Sequence, residues 1–236
     1  GQDALTANTA ANNTAVGAYA LIANTTGAGQ VAIGVEALEA NTTGTINTAV
    51  GNNALHDNTT GDGNVALGRN TLYNNETADH NVAVGYDAVF YNTTGADNVG
   101  VGHEALYNNT TASNNTAVGK KALYANTTGT NNVAVGKDAL LSNTTGSQNV
   151  ALGRAAANLL TTGDQNIAIG DLALKQTTTG SGNVVIGYDA LQVNSVSDSV
   201  AIGRKALNLN TTGYNNIGIG ASALKANTTG SNNTAT

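Results

Sequence analysis

The chain has 236 residues, a formal net charge of −6, 29 glycines, and no cysteine, methionine, tryptophan or proline. Lack of cysteine excludes a disulfide framework and any cysteine-based metal site, and the mild acidity leaves no basic face for nucleic acid. No apolar run approaches the roughly 18 residues of a transmembrane helix, so membrane insertion by this segment is not expected; with no signal peptide and no initiator Met, the chain reads as a mature or excised segment.

Abundant Gly, Asn and Thr are often a mark of disorder. Here the apolar residues hold fixed places in a tandem repeat, which drifting polar sequence would not keep. The repeat is Asn-x-Ala-Val/Ile-Gly, two variable residues, Ala-Leu, two more, then Asn-Thr-Thr-Gly and a two-residue gap. Its marking glycines are Gly1, Gly17, Gly34, Gly51, Gly68, Gly85, Gly102, Gly119, Gly136, Gly153, Gly170, Gly187, Gly203 and Gly220. The spacing is 17, except for 16 at Gly1 to Gly17 and at Gly187 to Gly203. In both exceptions the missing residue falls in the turn, at residues 8–13 and 194–199. A turn absorbs a deletion, whereas a strand slipped by one residue would turn its side chains to the wrong face.

Taken in order along one repeat, Val133, Ala134 and Val135 alternate as a short strand. Gly136 ends it, Ala139 and Leu140 read as a second short extended piece, and Asn143, Thr144, Thr145 and Gly146 carry turn chemistry. No apolar 3.6 period survives these interruptions, so helix is excluded. The expectation is an all-β parallel β-solenoid of 14 coils of about 17 residues, a single tandem-repeat rod over 1–236 and a segment of a longer fibre. Val133 and Val135 face away from Ala134, and adjacent Ala139 and Leu140 are expected to point opposite ways. Both faces of the coil are then apolar, and the outer one, with a Leu ladder in it, needs cover from further copies of the chain.

The units Asn132 to Gly136 and Asn166 to Gly170 resemble the head repeats of YadA-like trimeric autotransporter adhesins, and similar repeats occur in phage tail fibres. The resemblance covers the whole chain. It implies a left-handed β-roll, a side-by-side homotrimer and an adhesive or fibre-shaft role. The coils are longer than the usual adhesin repeat by the Asn-Thr-Thr-Gly turn, and the coiled-coil stalk and anchor barrel of the adhesins are not in this sequence. The expected function is a non-enzymatic shaft or head for attachment to a host or surface, like a phage tail fibre, with a host receptor, glycan included, as partner. A bacterial surface adhesin and an ice-binding β-solenoid are the alternatives. The expected location is extracellular, on a virion tail fibre or a bacterial surface.

Four ladders could carry chemistry. Asn47, Asn64, Asn81, Asn98, Asn115, Asn132, Asn149, Asn166 and Asn183 precede the strands, where stacked amides bond coil to coil. Asn24, Asn41, Asn58, Asn92, Asn109, Asn126, Asn143, Asn210 and Asn227 form a structural turn ladder. Each such Asn-Thr-Thr, as at Asn24 and Asn126, is also a formal glycosylation sequon. Thr25, Thr42, Thr59, Thr93, Thr110, Thr127, Thr144, Thr161, Thr178, Thr211 and Thr228 could present hydroxyls to water. Tyr73, Phe90, Tyr107 and Tyr124 share one place in four successive repeats, either packed ring on ring or as a glycan platform. Charges after the strand glycine, such as Glu36, Arg69, Lys137 and Asp138, read as a solvated rim. His56, His80 and His103 occupy different places in the repeat, so no metal site and no cofactor is expected. No catalytic constellation or nucleotide fingerprint is present.

Overall fold

The structure, a computed structural model, describes residues 1–193 and 197–236. Part of the shortened turn expected at 194–199 therefore lies outside the described residues. Two compact units are resolved, Gly1–Asn115 and Thr116–Thr236. The first holds β1 (Thr14–Val16), β2 (Val31–Ile33), β3 (Thr48–Val50), β4 (Val65–Leu67), β5 (Val82–Val84) and β6 (Val99–Val101). The second holds β7 (Thr116–Val118), β8 (Val133–Val135), β9 (Val150–Leu152), β10 (Ile167–Ile169), β11 (Val184–Ile186), β12 (Val200–Ile202), β13 (Ile217–Ile219) and β14 (Thr234–Ala235). Each unit is a parallel β-solenoid, with no helix among the described residues. Between them they supply about one coil per repeat, as the sequence predicts.

Within each unit every strand pairs in parallel with the next, residue on equivalent residue. Val65, Ala66 and Leu67 face Val82, Ala83 and Val84 in the first unit; Val133, Ala134 and Val135 face Val150, Ala151 and Leu152 in the second. Register survives the shorter repeat, since Val184 pairs with Val200 and Ile186 with Ile202. The middle residue of each strand points inward: Ala66, Ala134 and Ala151 are fully buried. Its two neighbours point out, leaving Ile33, Leu67, Val135, Ile186, Ile217 and Ile219 exposed. An apolar outer face on the strands is therefore present.

The Ala-Leu pair corrects the sequence reading. Ala139 and Leu140 do not point opposite ways along an extended segment; both are fully buried. Two consecutive tight turns carry them, closed by Ala139 N–H to Gly136 O at 3.3 Å and Asn143 N–H to Leu140 O at 3.2 Å. Asp138 and Leu140 take positive φ, 58° and 49°. The left-handed conformation costs a Leu roughly 1–2 kcal/mol. Burying its side chain contributes about 1.5–3 kcal/mol, and its N–H bonds to Ala156 O of the next coil at 3.0 Å, so the strained backbone is the net winner. The Leu ladder is interior, and the strands keep an outward apolar side, with Val35, Ile46, Leu159 and Leu209 exposed outside them.

One glycine is fixed by two independent constraints. Gly136 has φ 131°, and a Cβ there would stand 2.5 Å from the carbonyl oxygen of Gly153 one coil on. This position is Gly in every repeat. The turn glycine is less demanding, and Ala78 and Ala112 stand in its place.

Candidate functional site

The interior is polar on one side, built from two Asn ladders. In the turn ladder the amide reaches a carbonyl of its own turn and, along each run, the amide oxygen of the preceding coil. Asn58 Nδ2 donates to Asn41 Oδ1 of the preceding coil at 2.8 Å and to Gly61 O at 3.1 Å. Asn41 and Asn92 repeat this geometry on Asn24 and Asn75, Asn109 on Asn92, Asn143 on Asn126 and Asn227 on Asn210. The nine expected members are buried, except for half-buried Asn227. Asn75 joins them although its triplet reads Asn-Glu-Thr. In the strand-side ladder the amide oxygen accepts the next coil's backbone N–H, as Asn64 N–H to Asn47 Oδ1 at 2.8 Å and Asn149 N–H to Asn132 Oδ1 at 2.9 Å. Both ladders spend their amides inside the coil. Asn24 and Asn126 are 0% exposed, so these sequons offer no accessible amide in the folded chain.

The Thr ladder is likewise engaged. Thr42 Oγ1 donates to Thr59 O at 3.0 Å, Thr144 Oγ1 to Thr161 O at 3.2 Å and Thr211 Oγ1 to Thr228 O at 2.8 Å. These hydroxyl protons join coil to coil.

The aromatic line is stacked. Tyr73 and Phe90 have ring centroids 5.2 Å apart with planes 15° from parallel, and Phe90 and Tyr107 lie 5.4 Å apart at 20°. Tandem strands set rings close to the coil spacing, which suits offset stacking. The ring faces are thus turned to one another, and their edges point outward. Tyr124 belongs to the second unit, where Lys121 Nζ stands 4.9 Å from its ring centroid. Two neighbours were not singled out in the sequence. Tyr91, 44% exposed, sets its ring edge-on to Phe90 and Tyr107, at 79° and 84°. His56 extends the stack below Tyr73, at 4.7 Å and 4°. The signal for His56 was its place in the repeat, the same as that of Tyr73; for Tyr91 it was adjacency to Phe90.

At the His56 end the surroundings are acidic. His56 Nε2 lies 3.0 Å from Glu39 Oε2 and Nδ1 2.6 Å from Asp57 Oδ1. Glu36, Glu39 and His56 each offer a ligand atom within 4.8 Å of the others. Burial first, then the carboxylates of Asp57, Glu36 and Glu39, push the Tyr73 phenol above its ordinary value of 10.0. His80 and His103 stand elsewhere, 67% and 45% exposed at the side chain. Elsewhere the rim charges pair locally, as in Arg154 to Asp171 at 2.9 Å.

Neither a family model nor a curated protein matches the chain.

Proposed function

We propose that the chain is a segment of a non-enzymatic homotrimeric attachment fibre, its three copies side by side as left-handed β-rolls and its aromatic patch in contact with a host receptor, glycan included. The outward apolar line along the strands carries this reading. Ile33 and Leu67 in the first unit, and Val135, Ile167, Ile186, Ile217 and Ile219 in the second, stand exposed on the outward side of their strands. A recurring apolar ladder of this kind on a soluble protein marks an association surface. A second copy presents the same ladder at the same spacing, so cyclic association covers it with matched partners. The extracellular location, on a tail fibre or a bacterial surface, follows from that role.

The patch of Phe90, Tyr91 and Tyr107 supplies ring edges and hydroxyls, with Tyr91 the ring standing free of the stack. Such amphipathic groups suit contact with sugar hydroxyls and C–H faces. Two measurements test the reading. Light scattering should give three times the 23.5 kDa chain mass; a monomer overturns the trimer and favours the ice-binding alternative, which thermal hysteresis then checks. On a glycan array, Tyr91→Ala and Tyr107→Ala should weaken binding at least tenfold while leaving the oligomer intact. Binding equal to that of the unsubstituted chain would remove the aromatic patch as the contact.

A further inference from the structure

We propose that Glu36, Glu39 and His56 form a binding site for a divalent transition-metal ion, with zinc the best fit, which clips two successive coils together at the foot of the aromatic stack. The three ligand atoms lie within 4.8 Å of one another. Glu39 and His56 occupy the same place in consecutive repeats, so parallel stacking alone sets imidazole beside carboxylate. Glu36 comes from the same coil as Glu39, three residues earlier. A tetrahedral ion at about 2.0–2.1 Å from each donor holds its ligand atoms about 3.3 Å apart. The 3.0 Å between His56 Nε2 and Glu39 Oε2 is already close to that spacing, and rotation about the Glu36 side chain closes the other two edges.

Two features outside the ligand set favour an ion here. The first is the orientation of His56. Its Nδ1 is 2.6 Å from Asp57 Oδ1, and its ring lies against Tyr73 with planes 4° from parallel. A carboxylate on the far ring nitrogen and a fixed ring plane are what a metal-ligating histidine commonly has, since they hold the tautomer and aim the free lone pair. Donation of the Nδ1 proton to Asp57 leaves Nε2 as the ligand atom. The second feature is charge. Three carboxylates surround one imidazole, and among the described residues no Lys or Arg is paired with Glu36, Glu39 or Asp57. Two ligating carboxylates neutralise a dication. A mixed imidazole and carboxylate set suits zinc and its neighbours better than calcium or magnesium, which favour all-oxygen shells. The side chains of His56 and Glu39 are 20% and 35% exposed, enough for an ion and its remaining water ligands to enter. The site is independent of the fibre reading.

Zinc titrated by calorimetry into the metal-free whole chain tests the site. One ion per chain is expected, with affinity falling at least tenfold in His56→Gln and in Glu39→Gln but unchanged in His103→Gln. Zinc should raise the thermal midpoint of the unsubstituted chain, because a ligand that binds only the folded state stabilises it, and this rise should be lost in His56→Gln. Glu36→Gln, which keeps volume and lies at the edge of the cluster, decides the matter if His56→Gln does not fold. Absence of saturable binding, or equal binding in the ligand variants, overturns the proposal.

Discussion

Tyr73 is the residue whose surroundings speak most directly to pH. Burial and the carboxylates of Asp57, Glu36 and Glu39 hold its phenol protonated above the ordinary value of 10.0. In the unfolded chain those neighbours are gone. Above the unfolded value the folded chain therefore binds more protons than the unfolded one, and stability falls with rising pH. The contribution is complete below the ordinary tyrosine value and is lost as pH rises through the raised folded value. Tyr73→Phe has no proton to lose. Its denaturation midpoint should decline less between about pH 9 and about pH 11 than that of the unsubstituted chain, since both values straddle the usual tyrosine range. Parallel declines would show that Tyr73 titrates alike in both states.

Among the elements, the turn ladder has an interruption that reveals what it contributes. Leu160 stands where an Asn would, fully buried. It offers no donor to the preceding coil, and Asn143 Oδ1 is left without a hydrogen-bond partner. Asn58 is inside an unbroken run: its oxygen accepts from Asn75 at 3.0 Å while its amide donates to Asn41 and Gly61. Removing a partner from a buried polar group costs about 1–3 kcal/mol for each group orphaned. Asn58→Ala orphans the Asn75 amide on one bond as well as Asn41 Oδ1, and should cost about 3–4 kcal/mol by that scale. Asn143→Ala breaks one fewer bond and should cost about 1–2 kcal/mol less, again by that scale. Chemical denaturation of the two variants measures the difference; equal losses would mean that the amide oxygen contributes nothing to the ladder.

For the whole molecule, the decisive surface is the strand face. The interior is closed within each coil by Ala, Leu and Asn, so the exposed Val and Ile are in excess of what the coil itself needs. Val135, at the end of the second strand of its unit, is 39% exposed. In the proposed trimer, Val135→Lys would place a charge in the contact between copies, where burying it unpaired costs several kcal/mol. The expected result is a drop in solution mass from three chains towards one, with an unchanged circular dichroism spectrum because the side chain points away from the core. A trimer that tolerates Lys at this position would place the contact between copies elsewhere.

The tandem period was enough to determine the coil, the parallel register and the opposite facing of Ala and its Val neighbours, because strand periodicity and a one-residue tolerance confined to turns leave few other ways to stack equal repeats; that Ala takes the inner side was decided by the closed coil. The nine turn asparagines and the stacking of Tyr73, Phe90 and Tyr107 were legible for the same reason: equal places in equal repeats become neighbours in space. What the sequence could not express was backbone conformation inside the turns. Leu140 carries no local signal for positive φ; it adopts it because the interior of the closed coil rewards burial more than the left-handed backbone costs, and that interior exists only once coils have stacked. The same holds for Glu36, Glu39, Asp57 and His56. Their residue types repeat in no pattern, and only stacking, followed by the direction of each side chain on a tight turn, brings three carboxylates around one imidazole.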